Sequence, residues 1–220
     1  MSDNFKALVV NQEGENFTRE VKKIDRSFLK HGDVTIKVDY SDLNFKDGMI
    51  LKNGGRLVKE FPHIPGIDFA GTVLESDNSK FQEGDEVILT GFRVGEVFYG
   101  GYSQIAKVNA DFLVKKPNDL SSREAMILGT AGFTSLMSAF AIKAREEILL
   151  GEKVNNVLVT GATGGVGSVA VTIDSTHQCM TMRGIKKEQA STVTNYYLGQ
   201  FKEDLSYLNR YLRFISISKD

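Results

Sequence analysis

The feature that most constrains the fold is a glycine-rich segment that directly follows an apolar, β-branched run. Residues 157–160 read Val-Leu-Val-Thr, and residues 161–167 read Gly-Ala-Thr-Gly-Gly-Val-Gly. Glycines at such a turn let the backbone pass close to a pyrophosphate and let the next helix direct its N-terminus at that anion. The segment therefore predicts the first strand, near Val157, and the phosphate loop of a nucleotide-binding fold.

The chain that follows this loop is short for such a fold. A complete dinucleotide-binding domain needs roughly five or six parallel strands with crossover helices, whereas only residues 168–220 follow Gly167. We therefore expect a cofactor domain that begins normally and is then truncated, with activity lost or reduced.

Composition narrows the classes of partner. The 220 residues carry a formal net charge of −1 and are 41% hydrophobic, which favours neither nucleic acid nor membrane as a partner. We see no basic-then-apolar leader and no run that approaches the roughly 20 apolar residues of a membrane span, so we expect a cytoplasmic protein with a small-molecule substrate and leave a homo-oligomer open. The single cysteine, Cys179, excludes an internal disulfide and a four-cysteine zinc lobe.

Periodicity separates a β-rich N-terminal part from a helical segment. Short alternating runs bounded by turn residues predict strands at 6–10, 34–40, 70–75, 86–89, 102–108 and 112–115. Ser121 and Glu124 can form a capping box, and an apolar, helix-compatible segment follows at 126–128 and 133–144, interrupted around 129–132. This order predicts an α+β chain with a barrel-like first domain.

Five motifs carry a family resemblance. The motifs lie at residues 43–48, 61–73, 84–91, 129–134 and 161–167. In this order and spacing they resemble the medium-chain dehydrogenase/reductase superfamily, and within it the quinone-oxidoreductase-like branch that includes bacterial acryloyl-CoA reductases. The resemblance implies a GroES-like β-barrel catalytic domain, a Rossmann domain, and NADPH as hydride donor to an activated C=C bond of an enoyl thioester or a quinone.

The same resemblance bears on metal. Zinc-dependent members place a ligand histidine where this chain has Ile67 and take a second ligand from a cysteine that is absent here. Because a catalytic zinc needs three protein ligands and an open position, we expect a metal-free barrel. Asp68 is then more simply a structural residue that bonds nearby backbone, and His63 is favoured as a residue without substrate contact.

The resemblance also assigns site residues. Asn44 and Asp47 match polar positions of the catalytic cleft, although Asn44 also suits a turn and Asp47 also suits the first turn of a helix. Phe45 matches an aromatic position that contacts NADPH. The resemblance assigns binding of the phosphates and the nicotinamide to Thr130 and to the loop residues Thr163, Gly164, Gly165, Val166 and Gly167.

The last fifty residues resemble another family. From about residue 169 to 212 the chain resembles the C-terminal end of GTP cyclohydrolase I, most specifically at 177–184. In that resemblance Cys179 matches a zinc ligand, His177 a catalytic histidine beside it, and Arg183 a triphosphate-binding residue. The family's other two zinc ligands have no counterpart, so only a vestigial metal site is expected. We predict a chimera with a catalytic domain at 1–128, a truncated NADPH-binding start at 129–171 and a cyclohydrolase-like tail at 172–220.

Alternatives remain open at this stage. Residues 179–183 could form the second Rossmann strand, with Arg183 and the neighbouring Lys186 and Lys187 at an NADP 2′-phosphate, although the crossover would then be very short. Two helices are predicted in the tail, at 187–198 and 203–214. The chain is then an NADPH-dependent reductase, an inactive fusion fragment, or a zinc- and GTP-binding relative of the cyclohydrolase.

Overall fold

A computed structural model describes residues 4–145, 159 and 161–175. The predicted strand at 157, the alternative strand at 179–183, the two tail helices, His177, Cys179 and Arg183 lie outside the described residues. The chain divides into two compact units, Met1–Thr130 and Ala131–Asp220. The domain boundaries at 128/129 and 171/172 stay predictions.

The first unit is built on two antiparallel sheets. β1 (Asn4–Glu13) and β2 (Asn16–Asp25) form a hairpin. The second sheet has the order β6-β3-β4-β5-β7, and its strands are β3 (Val34–Ser41), β4 (Asp68–Ser76), β5 (Glu86–Thr90), β6 (Ile105–Val108) and β7 (Val114–Lys115). The predicted β-rich architecture is confirmed.

The described strands do not close into a barrel. Closure would require the hairpin to continue the edge of the five-stranded sheet. β1 meets the chain before β6 at an isolated bridge between Ala7 and Ser103, where Leu8 N–H donates to the Tyr102 carbonyl (2.8 Å) and Gln104 N–H donates to the Lys6 carbonyl (2.9 Å), and β1 is not a strand of the five-stranded sheet. Within residues 4–130 the barrel of the sequence prediction is therefore an arrangement of two sheets.

The core of the first unit lies on one face of the five-stranded sheet. Phe69 and Ile36 are fully buried there, together with valines and leucines from β3, β4, β5 and the segment after β5. A second cluster joins Phe5, Val9 and Ile64 beneath the hairpin. Apolar side chains alternate into these clusters along the strands, and their burial is the main stabilising contribution.

Two predicted strand limits are wrong. Phe112 belongs to a short 3-10 helix, Ala110–Phe112, because the Asn109 side chain accepts the N–H of Asp111 at 2.8 Å and starts a turn there. β6 begins at Ile105 and not at 102, because the N–H of Tyr102 bonds the Pro65 carbonyl (2.9 Å) outside the ladder. Local side-chain and loop bonds made both strands begin later than alternation suggested.

Besides three short 3-10 helices at Arg26–Phe28, Gly54–Arg56 and Ala110–Phe112, the described residues form the α-helices α1 (Phe45–Asn53), α2 (Ser122–Arg145) and α3 (Gly165–Ser175). The capping box predicted before α2 is present, since Ser121 N–H donates to Glu124 Oε2 (2.9 Å) and Glu124 N–H donates to Ser121 Oγ (3.2 Å). The predicted interruption is also present, because Gly129 inside α2 has non-helical φ 48° and ψ −158°.

The segment Ser122–Ile142 is long and apolar enough to cross a membrane, which the sequence analysis had overlooked. Half of its most apolar window is buried inside the protein, and core helices of soluble proteins share this composition. The non-helical residue Gly129 divides the segment, and a backbone break facing lipid would leave polar groups unsatisfied. Burial and the break favour a core helix.

Candidate functional site

The first predicted site residues meet at the start of α1. Asn44 has extended backbone (φ −106°, ψ 158°) and is the N-cap residue, and its N–H donates to Asp47 Oδ2 at 2.9 Å. Asp47 therefore has the role at a helix N-terminus that its position in the sequence suggested, and the N-cap of Asn44 agrees with its turn preference.

Asp47 also connects α1 to the segment before β4. Its side chain is completely buried, and Oδ1 accepts the N–H of Ile67 at 3.1 Å. Burial raises the pKa of Asp47, the nearby Asp68 adds to the rise, and the N–H groups of Asn44 and Ile67 act against it. A carboxylate in this position fixes neighbouring groups, and its catalytic assignment stays a prediction.

Asp68 is the centre of a network of hydrogen bonds that includes Asn44, Asp42 and Thr130, which we call the polar network. It is completely buried, and Oδ2 accepts both the Asn44 side-chain amide (3.0 Å) and the backbone N–H of Thr130 (2.9 Å). Oδ1 accepts the N–H of Asp42 at 3.3 Å. Asp68 thus bonds nearby backbone, as the sequence analysis favoured, and it brings together two of the predicted site residues, Asn44 and Thr130.

The break in α2 belongs to the same network. A Cβ atom at Gly129 would lie 2.4 Å from Asp42 Oδ2 and 3.0 Å from Asp68 Oδ2, and the residue has a positive φ of 48°. Both the close contacts of a Cβ and the positive φ require glycine at this position. The interruption that the sequence predicted at 129–132 is therefore the point where α2 passes over the Asp68 carboxylate.

The apolar side chains at the start of α1 face solvent. Phe45 is 87% exposed, Leu43 is 71% exposed and Met49 is 39% exposed. An exposed aromatic residue beside the polar network can contact a ligand, as predicted for Phe45. Clusters of exposed large apolar side chains often mark interaction sites. The contact between Phe45 and a nicotinamide stays a prediction.

Sequence reasoning missed Tyr102. Its hydroxyl donates to the Asp42 carbonyl oxygen at 3.0 Å. Burial raises the pKa of Tyr102, and the carboxylates of Asp47, Asp68 and Asp42 raise it further. The phenol is therefore neutral across the physiological range. Nothing local distinguished this tyrosine, because the residues that it meets are about 60 positions away in the chain.

His63 lies inside the first unit. It is 1% exposed, its N–H and carbonyl pair with Val10 at 2.8 Å, and its ring packs against Tyr99 with centroids 5.5 Å apart. Burial lowers the pKa of His63, which keeps the imidazole neutral. His63 is therefore a buried core residue, and its lack of substrate contact stays a prediction.

The glycine loop lies in the second unit. The N–H of Gly164 donates to the Gly161 carbonyl and the N–H of Ser168 donates to the Gly164 carbonyl, each at 2.9 Å. Gly161 has a positive φ of 67°. These bonds turn the chain into the first turn of α3, which begins at Gly165. The predicted order of a glycine turn followed directly by a helix is thus present.

The glycines of this loop have different surroundings. A Cβ at Gly167 would lie 2.2 Å from the Gly161 carbonyl oxygen, so Gly167 serves close packing of the backbone. A Cβ at Gly165 would meet only the Ala131 Cβ, at an ordinary 3.4 Å. Thr163, Gly164, Gly165 and Val166 are exposed. The open part of the loop is therefore available to an anion at the N-terminus of α3.

Ser135 holds this loop against α2. Its side chain is completely buried, and Oγ lies 2.7 Å from the carbonyl oxygens of both Ala131 and Val166. The single hydroxyl proton can bond one of the two at a time. Ser135 was also missed from sequence, because a serine inside an apolar helix gives no sign of the partner that it will meet.

The described residues also bear on metal binding. Among the residues that the structure describes, no group of three or more histidine, cysteine or acidic side chains has an arrangement that could hold a metal ion. Cys179 and His177, the vestigial pair of the sequence analysis, lie outside the described residues. Metal-free chemistry in the first unit stays a prediction.

Fold and loop together define a class. Residues 30–118 match the alcohol dehydrogenase GroES-like domain, and the solved structures that resemble the chain are oxidoreductases of the medium-chain dehydrogenase/reductase type. The resemblance of residues 1 to about 171 to the quinone-oxidoreductase-like branch of that superfamily is confirmed.

Individual relatives agree with this assignment. Acrylyl-CoA reductase AcuI of Ruegeria pomeroyi is 50% identical over 171 residues, which cover 77% of this chain and 51% of the relative. The Salmonella enterica YhdH oxidoreductase, solved in complex with NADP, is 45% identical with a TM-score of 0.69 and covers 76% of this chain and 51% of its own. Bacillus subtilis YhfP, solved with NAD bound, is 44% identical with a TM-score of 0.71 over 78% of this chain and 51% of its own. The chain spans about half the length of the curated relatives it matches.

The second resemblance is confirmed too. Residues 123–216 match the GTP cyclohydrolase I family, and GTP cyclohydrolase 1 of Pelagibacter ubique is 50% identical over 90 residues, or 41% of this chain and 44% of that protein. The match begins in α2, well before residue 169, where the sequence analysis placed it. The two matched lengths exceed the chain together, so some residues are similar to both families.

Proposed function

We propose that this chain carries the site of an NADPH-dependent reductase that transfers hydride to the activated C=C bond of an enoyl thioester, with a quinone as the other candidate substrate. The observation that carries the proposal is the glycine loop, in which Gly164 and Gly165 are exposed to solvent at the N-terminus of α3 while Gly167 is packed tightly against Gly161. Relatives at 44–50% identity that are named as acrylyl-CoA reductases and as a quinone oxidoreductase support the same proposal.

The open loop suits the pyrophosphate of a dinucleotide. Backbone N–H groups at the start of α3 and the helix dipole favour an anion there. The small glycines let the anion approach the backbone, and Thr163 and Val166 flank them. NADP or NADPH is the first choice because two of the solved neighbours hold it, whereas a third holds NAD.

The first unit supplies a hydrogen-bond donor for the substrate. Bound NADPH would supply the hydride, which adds to the β-carbon, and water would supply the proton that adds to the α-carbon. Negative charge develops meanwhile on the thioester oxygen, where a positioned donor stabilises it. Asn44 fits this role because its amide has two N–H groups, of which one donates to Asp68 Oδ2 and orients the side chain. Asp47 then acts as a positioning residue through Asn44.

The test is an NADPH titration of the purified full chain, followed by nicotinamide fluorescence and then by NADPH oxidation with acryloyl-CoA and with 1,4-naphthoquinone. Gly165→Asp should abolish binding, because it adds a negative charge where the pyrophosphate would lie. Gly14→Asp is the matched control, since Gly14 lies in the hairpin turn with nothing within 4 Å of a new Cβ and a φ of 61° that aspartate tolerates.

The outcomes separate the hypotheses. Micromolar NADPH binding that is lost only in Gly165→Asp, with turnover of either acceptor, supports the reductase. Absence of NADPH binding by the wild type contradicts it and favours an inactive fusion fragment.

The cyclohydrolase match supports a second candidate, a zinc- and GTP-binding protein. A zinc site of this kind needs at least three protein ligands, and the chain offers one cysteine and three histidines, with His63 already buried in the first unit. The candidate predicts zinc bound in a 1:1 ratio after dialysis and lost in Cys179→Ser. Zinc well below that ratio would reject it.

A further inference from the structure

An exposed arginine next to an exposed phenylalanine lies on the most strained loop of the described chain. In the segment that follows β5, Gly91, Phe92, Arg93 and Gly95 all have positive φ, at 86°, 51°, 61° and 78°. Left-handed backbone is uncommon for phenylalanine and arginine, and such residues concentrate at functional sites. We define residues 91–95 as the strained loop.

Hydrogen bonds hold the strained loop rigidly. The Arg93 carbonyl accepts the N–H groups of Glu96, Val97 and Phe98 at 2.9–3.2 Å, and Val94 N–H donates to the Gly91 carbonyl at 3.0 Å. The Val94 side chain is completely buried. The conformation is therefore fixed before any ligand arrives, which reduces the entropy cost of binding.

The strained loop is joined to the polar network. Gly91 N–H donates to the Ile67 carbonyl at 3.2 Å, directly before Asp68. A Cβ at Gly95 would lie 2.7 Å from the Gly66 carbonyl carbon, so the two backbones are in close contact. Lys46 of α1 bonds Glu96 at 2.7 Å, just after the loop. The loop is thus attached at both ends to the segment that carries Asp68 and to the helix that carries Phe45.

The two side chains offer complementary chemistry. One face of the Phe92 ring stacks on Phe112 with centroids 5.0 Å apart and planes at 14°, yet Phe92 is still 55% exposed. Arg93 is exposed, and in the part of the chain that the structure describes no acidic group lies within ion-pair distance of its guanidinium. Lys46, in contrast, is already paired with Glu96.

We infer that Phe92 and Arg93 bind the nucleotide part of a coenzyme A thioester, with the adenine on the free face of Phe92 and a phosphate on the Arg93 guanidinium. Aromatic faces stack on bases, and guanidinium groups bind phosphate with paired N–H donors. This inference rests on the proposed function and makes it more specific, because a quinone has neither adenine nor phosphate. The substrate class would then be an acyl-CoA.

The test uses calorimetric titration of the full chain with coenzyme A, with adenosine 3′,5′-bisphosphate and with pantetheine. Arg93→Asn removes the charge, and asparagine tolerates the left-handed backbone, so the loop should keep its conformation. The variant should bind coenzyme A and the bisphosphate about tenfold more weakly, as expected for one lost charge-assisted contact. Binding of pantetheine, which has no nucleotide, should not change.

Arg56→Asn is the matched control. Arg56 is also exposed and also has a positive φ, 57°, so its substitution makes the same change of charge and of backbone preference elsewhere. This variant should bind all three probes as the wild type does. Phe92→Leu should weaken the bisphosphate about fivefold or more through loss of stacking, while the leucine retains apolar contact with Phe112.

Four outcomes would overturn the inference: no binding of coenzyme A by the wild type, unchanged binding by Arg93→Asn, equal losses in Arg93→Asn and Arg56→Asn, or an equal loss for pantetheine. NADPH titrations of the same proteins separate this inference from the proposed function. If NADPH binds while coenzyme A does not, the reductase proposal stands and the inference fails. If coenzyme A binding depends on Arg93 while NADPH does not bind, the inference stands and the reductase proposal fails.

Discussion

Removal of the Asp68 carboxylate should destabilise the first unit and release the start of the α2 segment that follows Gly129. In Asp68→Ala the Asn44 amide and the Thr130 N–H lose acceptors at 3.0 and 2.9 Å, inside a site where Asp68 is completely buried. An unsatisfied buried donor costs about 1–3 kcal/mol. Two such donors, partly offset by the removal of a buried charge, give an expected loss of about 3 kcal/mol in the free energy of unfolding.

Asp68→Asn is the matched variant. Its amide oxygen can replace Oδ2 and keep both short bonds, so the variant loses the charge and the longer bond from Asp42 N–H, which is 3.3 Å. The expected cost is about 1 kcal/mol. Asp68→Ala should therefore be less stable than Asp68→Asn by about 2 kcal/mol, a large fraction of the roughly 5–15 kcal/mol that a typical domain has.

Urea unfolding measures these differences, provided that the slope with denaturant stays the same in both variants. Amide hydrogen exchange gives the local result, because the Thr130 N–H should lose protection in Asp68→Ala and keep it in Asp68→Asn. Equal stability of the two variants, or a Thr130 amide that stays protected without the carboxylate, would refute the role of Asp68 as the central acceptor.

Three further predictions concern single residues. Gly165→Ala should raise the free energy of unfolding by up to about 1 kcal/mol and weaken NADPH binding at least tenfold. Gly167→Ala should instead unfold at lower urea, because its Cβ would lie 2.2 Å from the Gly161 carbonyl oxygen. A less stable Gly165→Ala together with a more stable Gly167→Ala would contradict the assignment of the loop. Burial raises the pKa of Asp47, so the stability of the wild type relative to Asp47→Asn should be greatest below about pH 4 and decrease as the pH rises through the raised pKa; a difference independent of pH would contradict this. Ser135→Ala should lower the melting temperature through the loss of a buried hydrogen bond worth about 1 kcal/mol, and an unchanged melting temperature would show that the hydroxyl bonds add nothing.

Local sequence signals predicted those elements whose causes are local. The capping box of Ser121 and Glu124 and the interruption at Gly129 were both predicted correctly, because both show in residue types within a few positions, although the contacts of Gly129 with Asp42 and Asp68 could not be predicted in that way. The strand β2 was missed because most of its residues are exposed, half of them are charged and none is buried, so no alternation of apolar side chains marks it. It is a strand because it pairs with β1 along ten residues.

The polar network could be predicted only in part. Asp68 accepts bonds from residues 24, 26 and 62 positions away, and no pattern within a window of sequence reports such contacts. Asn44, Asp47 and Thr130 were selected through the family resemblance, and the structure shows that Asp68 connects Asn44 with Thr130. Tyr102 and the strained loop required the three-dimensional structure, since neither the positive φ of Phe92 and Arg93 nor the close contact of Gly95 with Gly66 is marked by a local sequence pattern.

The short segment of residues 66–68 connects these features and makes them interdependent. Asp47 bonds the Ile67 N–H, Gly91 of the strained loop bonds the Ile67 carbonyl, and Asp68 follows directly. A displacement of Ile67 should therefore change the position of Arg93 as well. In a double-mutant cycle of Asp47→Asn and Arg93→Asn, the losses in coenzyme A affinity should not add, with a coupling of about 0.5 kcal/mol or more. Additive losses would mean that the strained loop keeps its position without the bond from Asp47 to Ile67. Helix α1, the segment of residues 66–68 and the strained loop would then act independently.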